Sequence, residues 1–251
     1  MIKIILFSQL LFINSILAET KLIKSGTKKV NLIELFSTQS CSSCPPAQRW
    51  VSSLVSEKDI WKNFVPVVYH VDYWDYLGWK DPYSSPIYTK LQRNYASVWN
   101  ARNIYTPMFV LNGSEWRKRK KSDYHFQKEL PGEIDLQFKS TEEFEMKFTP
   151  KEFIGKKVEL FASISGNKII TNVKAGENSG KNLRQDFLTL ELINKSIIKS
   201  KNVFKSKIKF DKSKFKNQKS LSIAIWLRDP TTKKVIQTIG RPFNNNGFKP
   251  I

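Results

Sequence analysis

Two apolar runs with a helical pattern between them narrow the fold more than any other feature of this chain. "VNLIELF" (residues 30–36) is broken only by Glu34 and reads as a buried strand, as does "NFVPVVYHV" (63–71). Between them Ala47, Trp50, Val51, Leu54 and Val55 recur at helical spacing. Pro45 and Pro46 suit a first helical turn, where a missing N–H has no partner to lose. Strand, helix, strand in that order predicts a parallel pair joined by a right-handed crossover. Both strands then end at one sheet edge, where ligands and chemistry gather in open α/β sheets. "CSSC" (41–44), which holds both cysteines, hangs from the first strand there, and "HVDYWDYLGWKDP" (70–82) hangs from the second. His70, Asp72 and several aromatic residues should therefore lie near Cys41 and Cys44.

Further on, Ser85-Pro86 is an N-cap followed by a first-turn proline, and Ile87, Leu91, Tyr95, Val98 and Trp99 share a helical face. Pro107 precedes a short strand, Met108–Leu111, ending at the hairpin signal Asn112-Gly113. Past "ELPGE" (129–133) the texture turns to alternating segments such as "IDLQFKS", "FEMKFTP", "KVELFASI" and "LSIAIWLRD". The expected organisation is an α/β domain over 19–131 with an aromatic-loop insertion, then an all-β, sandwich-like domain over 132–251. At 251 residues and 40% hydrophobic composition, the chain can build its core without staples.

The first residues carry Lys3, an apolar run from Ile4 to Leu17 and small Ala18, the layout of a secretory signal peptide over 1–18. The run is short for a membrane span, and an uncleaved anchor is the alternative reading. A mature protein exported to the periplasm or medium, without a stable membrane span, is expected. The formal charge of +20 comes largely from lysines scattered among apolar residues in the C-terminal half, the pattern of solvated strand faces. Only "RKRKK" (117–121) is a basic block, and it follows a turn signal, so nucleic acid is not the expected partner.

Outside the cytosol thiols oxidise readily, so the cysteine pair has three readings. As a structural disulfide it would close a loop of about four residues, contributing about 2 kcal/mol, little for a domain of this size. As a redox pair it has a strand-to-helix setting. A cysteine at a helix N-terminus faces unpaired N–H groups and the positive end of the macrodipole, which favour thiolate. Cys41 is then the nucleophile and Cys44 the resolving thiol. As a metal site, the two thiolates with His70 would suit copper(I) or zinc. His70 could instead tune Cys41 or be a satisfied core residue, and His125 is expected at the surface. Tyr73, Trp74 and Trp79 either wall a substrate groove beside Cys41 or pack the insertion onto the sheet. Serine–histidine–acid order, glycine-rich phosphate loops and zinc-protease helices are missing, so hydrolase and nucleotide chemistry have no support.

"ELFSTQSCSSCPP", "VVYHVD" and "YTPMFVLNG" together resemble a thioredoxin-like domain. With "HVDYWDYLGWKDP" added, the chain resembles the secreted thioredoxin-like family called domain of unknown function 1223, and "AGENSGKNLRQD" (175–186) resembles that family's C-terminal β-region. The resemblance implies a fold; the cysteine motif in its strand-to-helix setting favours a thiol–disulfide oxidoreductase using a redox-active disulfide and no other cofactor. Protein thiols or disulfides, or a redox partner protein, would be its partners. It places a cis-proline beside the cysteines at Thr106-Pro107, with Pro107 and Thr106 presenting backbone to substrate. Thioredoxin itself carries a buried acid six residues before its first cysteine. Leu35 stands there in this chain, while Glu34, one position further away, points to the opposite strand face, as a proton acceptor or as a paired or solvated group. The alternative is an exported copper-binding or partner-binding module whose cysteines are ligands or a structural disulfide.

Overall fold

The first apolar run forms β2 (Asn31–Ser37) and the second forms β3 (Phe64–His70). The computed structural model describes residues 22–125 and 128–244, so the expected signal peptide lies outside the described residues. Every residue of both strands is buried, as strands covered on two faces require. They pair in parallel, Leu35 opposite Val68, with helix α1 (Cys44–Ser53) between them in the chain. α1 lays Val51 against Ile33, Leu35 and Val68. Helix α2 (Pro86–Val98) lays Tyr88, Leu91 and Tyr95 against the other face, on Leu32, Phe36, Val67 and Tyr69. The Ser85 hydroxyl caps α2 by accepting from Ile87 N. β4 (Met108–Leu111) runs antiparallel to β2 and turns through Asn112-Gly113 into β5 (Ser114–Glu115), followed by the short helix α3 (Ser122–His125). His125 departs from its expected surface position: its side chain is 9% exposed, 3.2 Å from Asp59, with the ring against Phe64 and Tyr124.

The remaining strands are β6 (Gly132–Phe138), β7 (Glu143–Pro150), β8 (Lys157–Gly166), β9 (Ile169–Asn172), β10 (Asn182–Gln185), β11 (Leu188–Ile198), β12 (Phe204–Lys209), β13 (Leu221–Arg228) and β14 (Val235–Phe243). One sheet has eight strands in the order β14-β13-β8-β11-β3-β2-β4-β5. A second has four in the order β1-β6-β7-β12, where β1 is Leu22–Lys24, and β9–β10 form a ribbon. Ile134, Leu136, Phe144, Met146 and Phe148 of the smaller sheet pack on Val158, Leu160, Ile164, Ile223 and Ile225 of the larger. Burial of each such side chain contributes about 1.5–3 kcal/mol. Among the described residues no helix is long and apolar enough to cross a membrane.

The change of texture near Pro131-Gly132 does not divide the hydrogen-bonded framework. Leu188 of β11 pairs in parallel with Val68 of β3, and Val68 N donates to Phe187 O at 2.9 Å. β1, from the N-terminal side of the expected boundary, pairs with β6. The helices stop near residue 131, but the open edge of β3 still needs a partner and β11 supplies it.

Candidate functional site

β2 ends at Ser37, and the chain then loops through 38–43 before α1 begins at Cys44. Cys44 N donates to Cys41 O at 3.2 Å, which closes a turn and sets the two side chains on one side of the helix mouth. Both cysteines are free thiols. Cys41 is 7% exposed and Cys44 only 1%, so an incoming group meets Cys41 first. Ser43 stands at the N-cap but makes no capping hydrogen bond; its hydroxyl lies 3.1 Å from Cys41 Sγ instead. The Thr106 carbonyl is 3.9 Å from the same sulfur, and the Thr106-Pro107 peptide is cis.

These contacts split the two thiols. A hydrogen bond from Cys44, working against burial and aided by Ser43 and Thr106, holds the Cys41 thiol well below its ordinary range. Burial, followed by the hydrogen bond and charge of Cys41, pushes Cys44 well above it. These directions favour the thiolate at Cys41 and the protonated thiol at Cys44. Pro45 and Pro46 remove two N–H groups from the first turn, and the backbone N–H of the N-cap residue Ser43 still favours the Cys41 thiolate. The neighbouring thiol, with the Ser43 hydroxyl, does most of the stabilising.

The loop that carries Cys41 is tied down from three directions. Asp81 Oδ2 accepts from Gln39 N at 2.7 Å and Thr38 Oγ1 at 3.2 Å, and lies 2.7 Å from His70 Nδ1. Burial would raise the Asp81 carboxyl, but His70 and the N–H groups of Gln39 and Tyr83 hold it below the usual carboxylate range. From the aromatic loop, Trp79 O accepts from Ser40 Oγ at 2.6 Å, and Trp79 Nε1 donates to Gln39 Oε1 at 3.1 Å. From the turn joining β9 and β10, buried Asn178 donates through Nδ2 to Gln39 O at 2.8 Å and Cys41 O at 2.9 Å. In the same turn the Glu177 carboxylate accepts from Ser42 N at 2.7 Å.

His70 comes close to the pair, lining one cavity with Cys44. Asp72 is committed to α2, accepting from Thr89 Oγ1 at 2.5 Å. Tyr73 and Trp74 are partly buried against the α2-side core, their rings 5.4 Å apart. Burial raises the Tyr73 hydroxyl, against Gln92, with the cysteine pair adding to the rise. Trp79 holds the loop through Gln39 and Ser40, as described. Glu34 lies buried on the α2 face, accepting from Tyr95 Oη at 2.8 Å and Tyr69 Oη at 3.1 Å. Burial pushes its carboxyl up to about 7, against both phenols and Arg228. Among the described residues no group of three or more His, Cys, Asp or Glu side chains is placed to hold a metal ion. "RKRKK" lies exposed on the loop between β5 and α3. Sequence reasoning did not single out Asp81, Glu177 or Asn178. They lie inside the quoted motifs "HVDYWDYLGWKDP" and "AGENSGKNLRQD", but the local signal at each was a charged or amide residue inside a turn, next to Pro82 in one case and between Gly176 and Gly180 in the other.

A family model described as "protein of unknown function (DUF1223)" matches residues 32–228, a span that contains β2 through β13, both cysteines and the Glu177–Asn178 turn. The chain belongs to the DUF1223 family. This DUF1223 protein is similar in structure to protein AGR_C_4864 from Agrobacterium tumefaciens, at 18% identity and a TM-score of 0.63, over 89% of this chain and 98% of that one. It is also similar to HBP35 of Porphyromonas gingivalis, at 13% identity and a TM-score of 0.55, over 86% of this chain and 76% of the other. At these identities the likeness is one of fold. No curated protein matches the sequence.

Proposed function

We propose that this DUF1223 protein is an exported thiol–disulfide oxidoreductase whose N-terminal half is a thioredoxin-like unit. The observation that carries the reading is the division of labour between the thiols: Cys41, the less deeply buried of the two, has Ser43 and Thr106 against its sulfur and favours thiolate, while Cys44 lies deeper and favours its protonated form. The Cys41 thiolate attacks a substrate disulfide and expels one substrate sulfur as thiolate. Cys44 then attacks Cys41 Sγ, the bond to the remaining substrate sulfur breaks, and a Cys41–Cys44 disulfide is left. The cis Thr106-Pro107 segment, whose carbonyl faces Cys41, offers backbone to the substrate chain. Export is supported by the signal-like composition of residues 1–18.

The test is equilibration of the full chain in glutathione buffers, followed by alkylation of remaining thiols. Cys41 and Cys44 are expected to titrate together as one two-electron couple. Cys41→Ser should abolish exchange with small disulfides, and Cys44→Ser should trap a mixed disulfide at Cys41. A wild-type chain that exchanges with no disulfide or dithiol would overturn the proposal.

A further inference from the structure

The resolving step asks for something the pair itself does not hold: a group to take the proton from buried Cys44. Glu34, the acid of β2, is committed to Tyr69 and Tyr95. Behind Cys44, however, lies a cavity of about 150 Å³ whose walls include Cys44, His70, Gln48, Gln185, Arg49 and Arg184, but not Cys41. His70 is 1% exposed, and its Nδ1 lies 2.7 Å from the Asp81 carboxylate, which itself also accepts from Tyr83 N at 2.9 Å. Asp81 stands on the Nδ1 side of the ring, at an angle outside hydrogen-bonding geometry, which leaves Nε2 as the nitrogen away from the carboxylate. Two amide oxygens in the cavity wall, Gln48 Oε1 and Gln185 Oε1, are buried without a hydrogen-bond partner. Buried acceptors of this kind are what enclosed water satisfies, and the volume has room for a few waters at about 30 Å³ each.

We infer that His70, positioned by Asp81, accepts the Cys44 proton through this cavity when Cys44 attacks the mixed disulfide. The inference rests on the redox reading proposed above. In the mixed disulfide Cys41–S–S–R, the proton passes from Cys44 Sγ through cavity water to His70 Nε2. The freed electron pair forms the bond to Cys41 Sγ, and the Cys41–S–R bond breaks, its pair leaving as RS⁻. RS⁻ then takes the proton from the imidazolium through solvent, which restores neutral His70. Over both steps the cysteine pair loses two electrons and the substrate disulfide gains them as one thiolate and one thiol. The other charged groups on the cavity are Arg49 and Arg184, the latter 3.2 Å from Asp186, and Asp75 accepts from Asp81 N behind the dyad. A histidine beside a carboxylate that shares a cavity with a thiol has the parts of the general-base arrangement known from nucleophilic catalysis.

The reduced full chain is mixed with 5,5′-dithiobis(2-nitrobenzoate) and the released thionitrobenzoate is followed. The first equivalent reports attack by Cys41, the second attack by Cys44. In His70→Gln the first phase checks that the site is formed, and the second should slow about a hundred-fold. Its rate should then rise with pH as direct titration of Cys44 dictates, and added imidazole should restore it in His70→Ala. Asp81→Asn should slow the second phase less. A second phase as fast in His70→Gln as in wild type, or one slowed with an unchanged pH profile and no imidazole rescue, would overturn the inference. Wild-type chain that releases no thionitrobenzoate would instead sink the redox reading, and this inference with it. Should the variants fail to fold, ¹⁵N signals of the imidazoles in wild type decide. The His70 Nε2 resonance is expected to differ between reduced and oxidised chain, and an unchanged resonance would overturn the role.

Discussion

Glu34 is a carboxyl on a strand whose every residue is buried, held by two phenols and lying near Arg228. Its ordinary value of 4.5 rises to about 7 in the folded chain, chiefly through burial. Between those pH values the folded chain keeps a proton that the unfolded chain has released. The associated stability is fully present below about pH 4.5 and lost as pH rises through about 7, on the order of 3 kcal/mol in all. Urea midpoints measured from about pH 5 to about pH 8 should fall in wild type and stay flatter in Glu34→Gln. A variant with the same slope would show that another group is responsible. Cys41 carries the opposite sign, its thiolate favoured by the fold. Alkylation of Cys41 by iodoacetamide should therefore stay fast well below the free-cysteine value of about 8.5, and Ser43→Ala should move its midpoint upward. The strand period alone set Glu34 on the face opposite Leu35. That Tyr95 reaches it from α2 could not be read, because such a contact depends on how two elements dock.

At the scale of elements, the connection between β9 and β10 acts as a clamp on the cysteine loop. Gly176 there has φ of +73°, and a Cβ would stand 2.9 Å from Leu77 O and 3.2 Å from Trp79 Cβ. Gly176→Ala should therefore cost about 1–3 kcal/mol and push the aromatic loop away. Asn178→Ala strips a shared donor from two buried carbonyls and should cost about 1–3 kcal/mol. Both are measurable by urea unfolding, and both should slow Cys41 alkylation if the clamp shapes the thiol's surroundings. Retained stability in both variants would show that the clamp contributes nothing. The elements nearest the cysteines were legible because each carries a local signal: apolar runs for β2 and β3, prolines for the two helix starts, Asn112-Gly113 for the hairpin. β11 was not. Leu188, Leu190 and Leu192 alternate, but a bulge between Thr189 and Glu191 and the polar stretch Asn194–Ser196 blur the period. The clamp was hidden for a different reason, since nothing local ties residue 178 to residue 41.

Across the whole molecule the two textures share a core. Phe161, Trp226 and Val235 pack with Leu32, Phe36 and Tyr69. Buried Gln237 of β14 accepts from Val30 N at 2.8 Å and donates to Gly132 O at 2.8 Å. Urea unfolding followed by tryptophan fluorescence and by far-UV circular dichroism should therefore give one coincident transition. Two separated transitions would mean that the halves are energetically independent. Composition shows where helices give way to strands, but not whether sheet hydrogen bonds cross that point, since pairing is non-local. The smaller sheet ends in β12, an edge strand whose Phe204 and Ile208 face the core while Lys205, Lys207 and Lys209 stand exposed. An open edge is a template on which a second chain can add a strand. A second copy docking there would bring its own lysines against these three, of which Lys207 lies 3.8 Å from Glu145 of β7. Lysines along an open edge strand are one of the devices by which natural sheets discourage edge-to-edge pairing, so part of the basic excess of the sequence stands where a second chain would otherwise find a template.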